Sequence, residues 1–139
     1  MDGSLTCFLI ATLIVGILVF CATYMTKSHS HHFDVEAYQI RFLKIENSLK
    51  KDVPTSFGLA IINADKLLDK ALMEMGIPGK TMGDRLKKSS EKFSELNQVW
   101  RAHKLRNAVA HDPDLELNYK QSQTALEIYK QALKDLGAI

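Results

Sequence analysis

The chain has 139 residues, 46% hydrophobic and 24% charged, with a net charge of +2. That length holds one domain of about 100 residues plus an appendage, and the near-balanced charge excludes a protein that binds nucleic acid simply by being basic throughout. Three prolines and seven glycines exclude a disordered or loop-rich chain, and there is no internal repeat or low-complexity tract.

Residues 1–4 are a short tail. Residues 5–25, Leu5 through Met25, contain no charged side chain. As a helix this stretch is about 31 Å long, which matches a hydrocarbon core of about 30 Å, so a single transmembrane helix is expected. The rival is a cleaved signal peptide, but that requires a basic start, and the one early side-chain charge is Asp2. A lipoprotein-type site at Cys21 is disfavoured by the bulky Phe20 before it. Lys27, Arg41 and Lys44 follow the span and no Lys or Arg precedes it. The positive-inside rule then predicts an anchor in the plasma (inner) membrane, with the N-terminus outside and the C-terminal domain in the cytoplasm. Gly16 has no glycine or alanine four positions away, so no clear helix-dimer motif is marked. Both cysteines, Cys7 and Cys21, lie in the span. No disulfide partner is expected for the rest of the chain, which suits a reducing compartment.

Residues 26–33 read as a polar linker containing Ser28-His29-Ser30-His31-His32. Three histidines can attract a metal ion, but no carboxylate or cysteine completes a set. A hydrated joint is the expected state, and neither metal nor cofactor is expected.

Residues 34–139 read as an all-α domain, an antiparallel bundle of four to five helices. The first opens at Asp34 as N-cap and carries Val35, Tyr38, Phe42, Ile45 and Leu49 at spacings of three and four. This seam is barely two heptads long, so packing into the bundle is favoured over a coiled coil with a second chain. Pro54 ends that helix or opens the next, which runs from about Thr55 to Met75. Its inner stripe is Phe57, Ile61, Ala64, Leu68, Ala71 and Met75. Asp65, Lys66, Asp69, Lys70 and Glu74 are expected mostly on its wet face. Gly76 stops it and Pro78-Gly79 turns the chain. Thr81 to Asp84 reads as a capping box opening a short helix to about Ser89. A helix is predicted over Ser94–Ala110, closed by Pro113. Leu115 and Leu117 then tuck under the bundle. Leu126, Tyr129, Leu133 and Leu136 mark a last helix ended by Gly137.

The Ser94–Ala110 helix carries an anomaly. Leu96, Val99, Trp100, Ala102, Val109 and Ala110 spread over a wide apolar arc, with Asn97, Arg101 and Lys104 opposite. His103, Arg106 and Asn107 fall inside the apolar arc. A partly buried guanidinium requires a partner. These groups therefore either pair structurally, for instance Arg106 with loop carbonyls or Asp112, or they form a site. In the structural case His111 would interact with the helix C-terminus.

Arg106-Asn107-Ala108-Val109-Ala110-His111 resembles the Arg-polar-x3-His signature of the HEPN superfamily of small helical domains, and the helical pattern of residues 34–137 resembles its bundle. The chain is also similar to small one-pass membrane proteins that carry such a domain. The resemblance implies four or five helices. Many members are metal-independent ribonucleases and others are non-catalytic. In catalytic members the Arg and His act on the scissile phosphate, commonly across a dimer. Here those roles fall on Arg106 and His111, with Asn107 as the polar residue, and a homodimer is one implied partner.

Metal-free RNA cleavage needs a base for the 2′-hydroxyl, an acid for the leaving oxygen and a cation for the transition state. His111 is the natural acid or base, because imidazole titrates near neutral pH. Arg106 is the natural phosphate clamp. Asn107 lies four residues before His111 and can orient it. One histidine does not easily serve as both acid and base, so a second copy or His103 would complete the set. Residues 80–106 carry Lys80, Arg85, Lys87, Lys88, Lys92, Arg101, Lys104 and Arg106 against Asp84, Glu91 and Glu95. That segment can attract RNA, a nucleotide or an anionic lipid surface, with His103, Lys104 and Arg101 as candidate substrate contacts. No P-loop, zinc signature, nucleophile elbow or paired carboxylates are visible. Two functions stand: a membrane-anchored endoribonuclease leaving 2′,3′-cyclic phosphate ends, and a non-catalytic helical binding or scaffold module tethered to the membrane.

Overall fold

The computed structural model describes residues 3–25 and 32–139. The helices are α1 (Gly3–Met25), α2 (Val35–Ser48), α3 (Thr55–Glu74), α4 (Met82–Lys88), α5 (Leu96–His111) and α6 (Tyr119–Asp135), with a 3₁₀ turn at Ser90–Lys92. No strand occurs among the described residues, so the all-α expectation holds. The chain divides into two units, Met1–His31 and His32–Ile139.

In the first unit, the uncharged stretch forms a helix of 23 residues, about 34 Å long. Its side chains from Cys7 to Cys21 are exposed. Among the described residues no helix is long and apolar enough to cross a membrane. Residues 1–2 and most of the expected linker, including His29 and His31, lie outside the described residues. His32 is exposed, with its ring Nδ1 3.3 Å from the Phe33 carbonyl oxygen.

In the second unit α3 is central and packs on α2, α4, α5 and α6. Its Ile61, Ala64, Leu68, Ala71 and Leu72 are fully buried, against Phe42 of α2, Leu86 of α4, Val99 of α5 and Tyr129 and Leu133 of α6 in the core. The pairs α2 and α3, α3 and α5, and α5 and α6 run antiparallel, as expected. The pair α3 and α6 runs in the same direction: Phe57 meets Tyr119 at one end, and Asp65 meets Tyr129 further along. Two successive reversals, α3 to α5 and α5 to α6, require this.

Local chemistry sets most boundaries. The Asp34 carboxylate accepts from the Ala37 amide at 3.0 Å and opens α2. The Thr81 hydroxyl accepts from the Asp84 amide at 3.1 Å, and the Asp84 carboxylate accepts from the Thr81 amide at 3.2 Å, which completes the capping box of α4. Asn118 and Gln121 build the same device at the start of α6. Gly76 and Gly137 adopt φ of +72° and +74°. The next amides, Ile77 and Ala138, reach back to the Leu72 and Leu133 carbonyls and close α3 and α6. α5 begins at Leu96 and not at Ser94. Ser94 instead donates its amide and hydroxyl to Asp135 at the end of α6, each at 2.8 Å. Before Pro113, Asp112 is extended, as the proline demands.

One ion pair ties α4 down. Arg85 bonds Asp69 of α3 through Nε and Nη2, at 2.6 and 2.8 Å, and donates Nη1 to the Gly79 carbonyl at 2.6 Å. A Cβ on Gly79 would lie 2.8 Å from Asp84 Cβ, so glycine is required for this close turn.

Leu68 and Leu133 have no exposed surface. Leu68→Ala and Leu133→Ala should each cost ~2–5 kcal/mol, the usual range for a buried leucine truncation. Chemical denaturation followed by circular dichroism at 222 nm measures this; losses under about 0.5 kcal/mol at both sites would contradict the packing.

Candidate functional site

The anomalous groups of α5 close on a carboxylate in α3. Asp65 is only 3% exposed. Its Oδ1 accepts from His103 Nδ1 at 2.8 Å and from the Tyr129 hydroxyl of α6 at 3.0 Å. Its Oδ2 lies 3.4 Å from Arg106 Nε, an ion-pair contact whose geometry is not that of a hydrogen bond. Arg106 Nη1 donates to Asn107 Oδ1 at 3.0 Å, and Asn107 Nδ2 lies 3.3 Å from His103 Nε2. The ring Asp65–His103–Asn107–Arg106–Asp65 is therefore closed, with Tyr129 as a branch.

The partners assign the proton positions. A carboxylate can only accept, so His103 Nδ1 carries the proton. Its Nε2 is then an acceptor for the Asn107 amide nitrogen, which turns the Asn107 oxygen toward Arg106. Trp100 packs edge-on against the His103 ring, with centroids 5.9 Å apart.

This corrects two expectations. Asp65 was placed on the wet face of α3, yet it is among the most buried polar groups. It lies on the Ile61, Leu68, Leu72 stripe at spacings of four, three and four, and that spacing is the signal that locates it. Arg106 pairs with neither loop carbonyls nor Asp112; the Asp112 carboxylate instead accepts from the Asp114 amide. Asp65 and Tyr129 are the members of the ring that the motif alone does not name.

The six candidate site residues separate into two groups. His103, Arg106 and Asn107 are brought together. Arg101, Lys104 and His111 are exposed. No hydrogen bond or ion pair joins His111 to Arg106, and five residues of helix place them about 140° apart. His111 stands one turn beyond Asn107, on the side of α5 that also carries Lys104 and Arg101. Arg106 keeps 25% of its side chain exposed, and its Nη2 donates to no acceptor among the described residues. A guanidinium engaged at Nε and Nη1 still has Nη2 to donate to an anion. Among the described residues, no group of three His, Cys, Asp or Glu side chains is placed to hold a metal ion.

Comparison with protein-family models, curated proteins and solved structures finds no match to this chain.

Burial, and then the charge and hydrogen bond of Asp65, push the Tyr129 hydroxyl far above the ordinary phenol range, with Arg106 opposing. Tyr38 moves the same way, burial again first. At the acid end burial raises the Asp135 carboxyl, but hydrogen bonds from Ser94 and Gln131 outweigh it and leave it lowered. A phenol raised in the folded state contributes stability that is present below the unfolded value near ~10 and lost as pH rises above it. A lowered carboxylate contributes stability above the ordinary carboxylate range and loses it as pH falls through the folded value. The melting temperature should therefore be flat between about pH 5 and 9, falling above ~10 and below ~4. Tyr129→Phe should soften the alkaline fall; an unchanged alkaline limb would remove Tyr129 from this account.

Proposed function

We propose that this chain is a membrane-anchored HEPN-like domain that cleaves single-stranded RNA without a metal ion, using Arg106 and His111. The observation that carries the reading is the state of Arg106. Asp65 pairs with its Nε and Asn107 accepts from its Nη1, while Nη2 donates to no acceptor among the described residues. In this reading Arg106 binds the scissile phosphate and stabilises its developing charge. His111 transfers a proton, and the 2′-oxygen attacks phosphorus as the 5′-oxygen leaves, giving a 2′,3′-cyclic phosphate. Since Asp65 and Asn107 occupy both nitrogens of His103, His103 positions Arg106 through Asn107 and does not replace the second proton-transfer group. A His111 from a second copy fills that role, so the active species is a homodimer.

The anchor is α1. Support comes from its 23 uncharged residues and the exposed apolar side chains it carries, including Phe8, Leu13 and Phe20. The basic residues after it favour a cytoplasmic domain on the inner face of the plasma membrane. The full-length protein should stay in the membrane pellet after alkaline carbonate extraction, with a C-terminal tag open to cytoplasmic protease. Release into the supernatant, or protection of the tag, would remove the anchor or reverse it.

A second reading, a non-catalytic tethered module, is favoured by one observation: the Asp65 ring already accounts for Arg106 as a counter-charge. The two readings separate on one set of full-length proteins in detergent. Catalysis predicts that wild type cuts labelled RNA in chelator and spares DNA, which lacks the 2′-hydroxyl. His111→Ala should lower the rate by ~10²–10⁴-fold with an unchanged melting temperature. Arg106→Ala leaves Asp65 without its cation and should cost roughly 3 kcal/mol. Adding Asp65→Asn removes that unpaired charge and should restore stability without restoring cutting. Wild type that cuts nothing, or cutting that survives His111→Ala, would falsify the catalytic reading.

A further inference from the structure

A surface groove runs between α5 and α6, on a side of α5 that the Asp65 ring does not use. Its volume is about 360 Å³, within the range of small-ligand sites. Ala102 and Leu105 of α5 and Ala125 and Ile128 of α6 line it as an apolar floor, and the cations Arg101 and Lys120 border it. None of its lining residues is acidic.

Two of its remaining polar side chains present donors. Asn118 and Gln121 also line it, and the capping box engages their side-chain oxygens, with Asn118 Oδ1 accepting from the Gln121 amide and Gln121 Oε1 from the Asn118 amide. Their amide NH₂ groups are left to donate. Neither Arg101 nor Lys120 has an ion-pair partner among the described residues, unlike Arg85 and Arg106.

We propose that this groove is a nucleotide subsite that seats one unit of a single-stranded RNA. The base lies on the apolar floor with its acceptor edge toward the Asn118 and Gln121 amides, and the flanking phosphates lie on Arg101 and Lys120. The inference rests on the RNA-cleaving reading and deepens it. Arg101 is common to the groove and to the exposed face of α5 that continues through Lys104 to His111. Ten residues of helix separate Arg101 from His111, a rise of about 15 Å. At about 3.4 Å per stacked nucleotide, a strand seated in the groove reaches His111 after roughly four units. The adjoining part of the same cleft, beyond Arg101, is lined by Glu95, Glu127 and Asp135. Its charge repels a phosphate backbone, so the strand leaves the groove toward His111 and not in that direction.

The test is fluorescence anisotropy of a labelled 12-mer oligoadenylate with full-length protein in detergent, titrated at several salt concentrations. Each phosphate contact on a single strand contributes about 0.7 to the slope of log affinity against log salt. Arg101→Ala with Lys120→Ala should weaken binding and lower that slope by roughly 1.4. Thr124→Trp, at an exposed position lining the groove, should weaken binding at every salt concentration with the slope kept, because it fills the base seat and removes no charge. Both variants should melt as wild type does. Adenosine 5′-monophosphate should compete only weakly; binding as tight as the 12-mer overturns the strand assignment. Wild-type affinity in both variants, or no binding by wild type, overturns the subsite. Binding that follows these expectations without cutting supports the subsite and sinks the catalytic reading. Cutting with an unchanged KM in both groove variants supports catalysis and sinks the subsite.

Discussion

The second unit depends on one buried carboxylate. Placing Asp65 inside costs several kcal/mol unless its charge is met by a cation and its lone pairs by donors. Three groups meet it: the Tyr129 hydroxyl, His103 Nδ1 and the Arg106 guanidinium. They come from α5 and α6, so the requirement of one side chain in α3 sets the rotation of both helices around it. A leucine of similar volume would give at least as much stability and far less direction, since apolar contacts tolerate sliding and a bonded carboxylate does not. The ring therefore acts as a register device, and the rotation it fixes is the one that turns Arg106 inward.

α3 uses this device twice. Asp69, four residues after Asp65, receives Arg85 on both oxygens and holds the short helix α4. Seven residues are too few for a helix to be stable alone, so α4 relies on this clamp, its capping box and Leu86 in the core. The two carboxylates Asp65 and Asp69 of α3 consume Arg106 and Arg85, two of the three arginines in the basic segment of residues 80–106. What that segment presents outward is smaller than its composition implies: Lys80, Lys87, Lys88 and Lys92 around α4, and Arg101 and Lys104 on α5.

Residues whose partners lie close in sequence were legible; residues whose partners lie far away were not. Asp34, Thr81, Gly76, Gly137 and Pro113 act within a few positions of themselves, and each does what its chemistry predicts. Ser94 has the chemistry of an N-cap, but its partner is Asp135, 41 residues away, so the start of α5 was misplaced. Asp65 was misjudged for a similar reason. A carboxylate reads as a wet position unless the stripe it interrupts is given more weight than its charge, and its partners are 38 and 64 residues distant. At the motif, the inward placement of His103, Arg106 and Asn107 followed from helical spacing alone. That Asp65 is what they close upon did not.

The same spacing gives α5 two faces with different duties. On the inner face, His103, Arg106 and Asn107 are fixed by the ring and can move only if Asp65 loses its partners. On the outer face, Arg101, Lys104, Ala108 and His111 follow at intervals of three, four and three, all on one side of the helix. Chemistry on a phosphate needs both a rigid cation and a group free to take or give a proton. A rigid inner face alone offers only structure, and an exposed outer face alone offers only diffuse charge. Arg106 belongs to the first and keeps Nη2 outside it. His111 belongs to the second and stands at the end where the helix stops before Pro113. Arg106 and His111 stand about 140° apart, so on the proposed catalytic reading they would act together only across the rim between the two faces. An anion arriving there meets a guanidinium that the fold has already oriented.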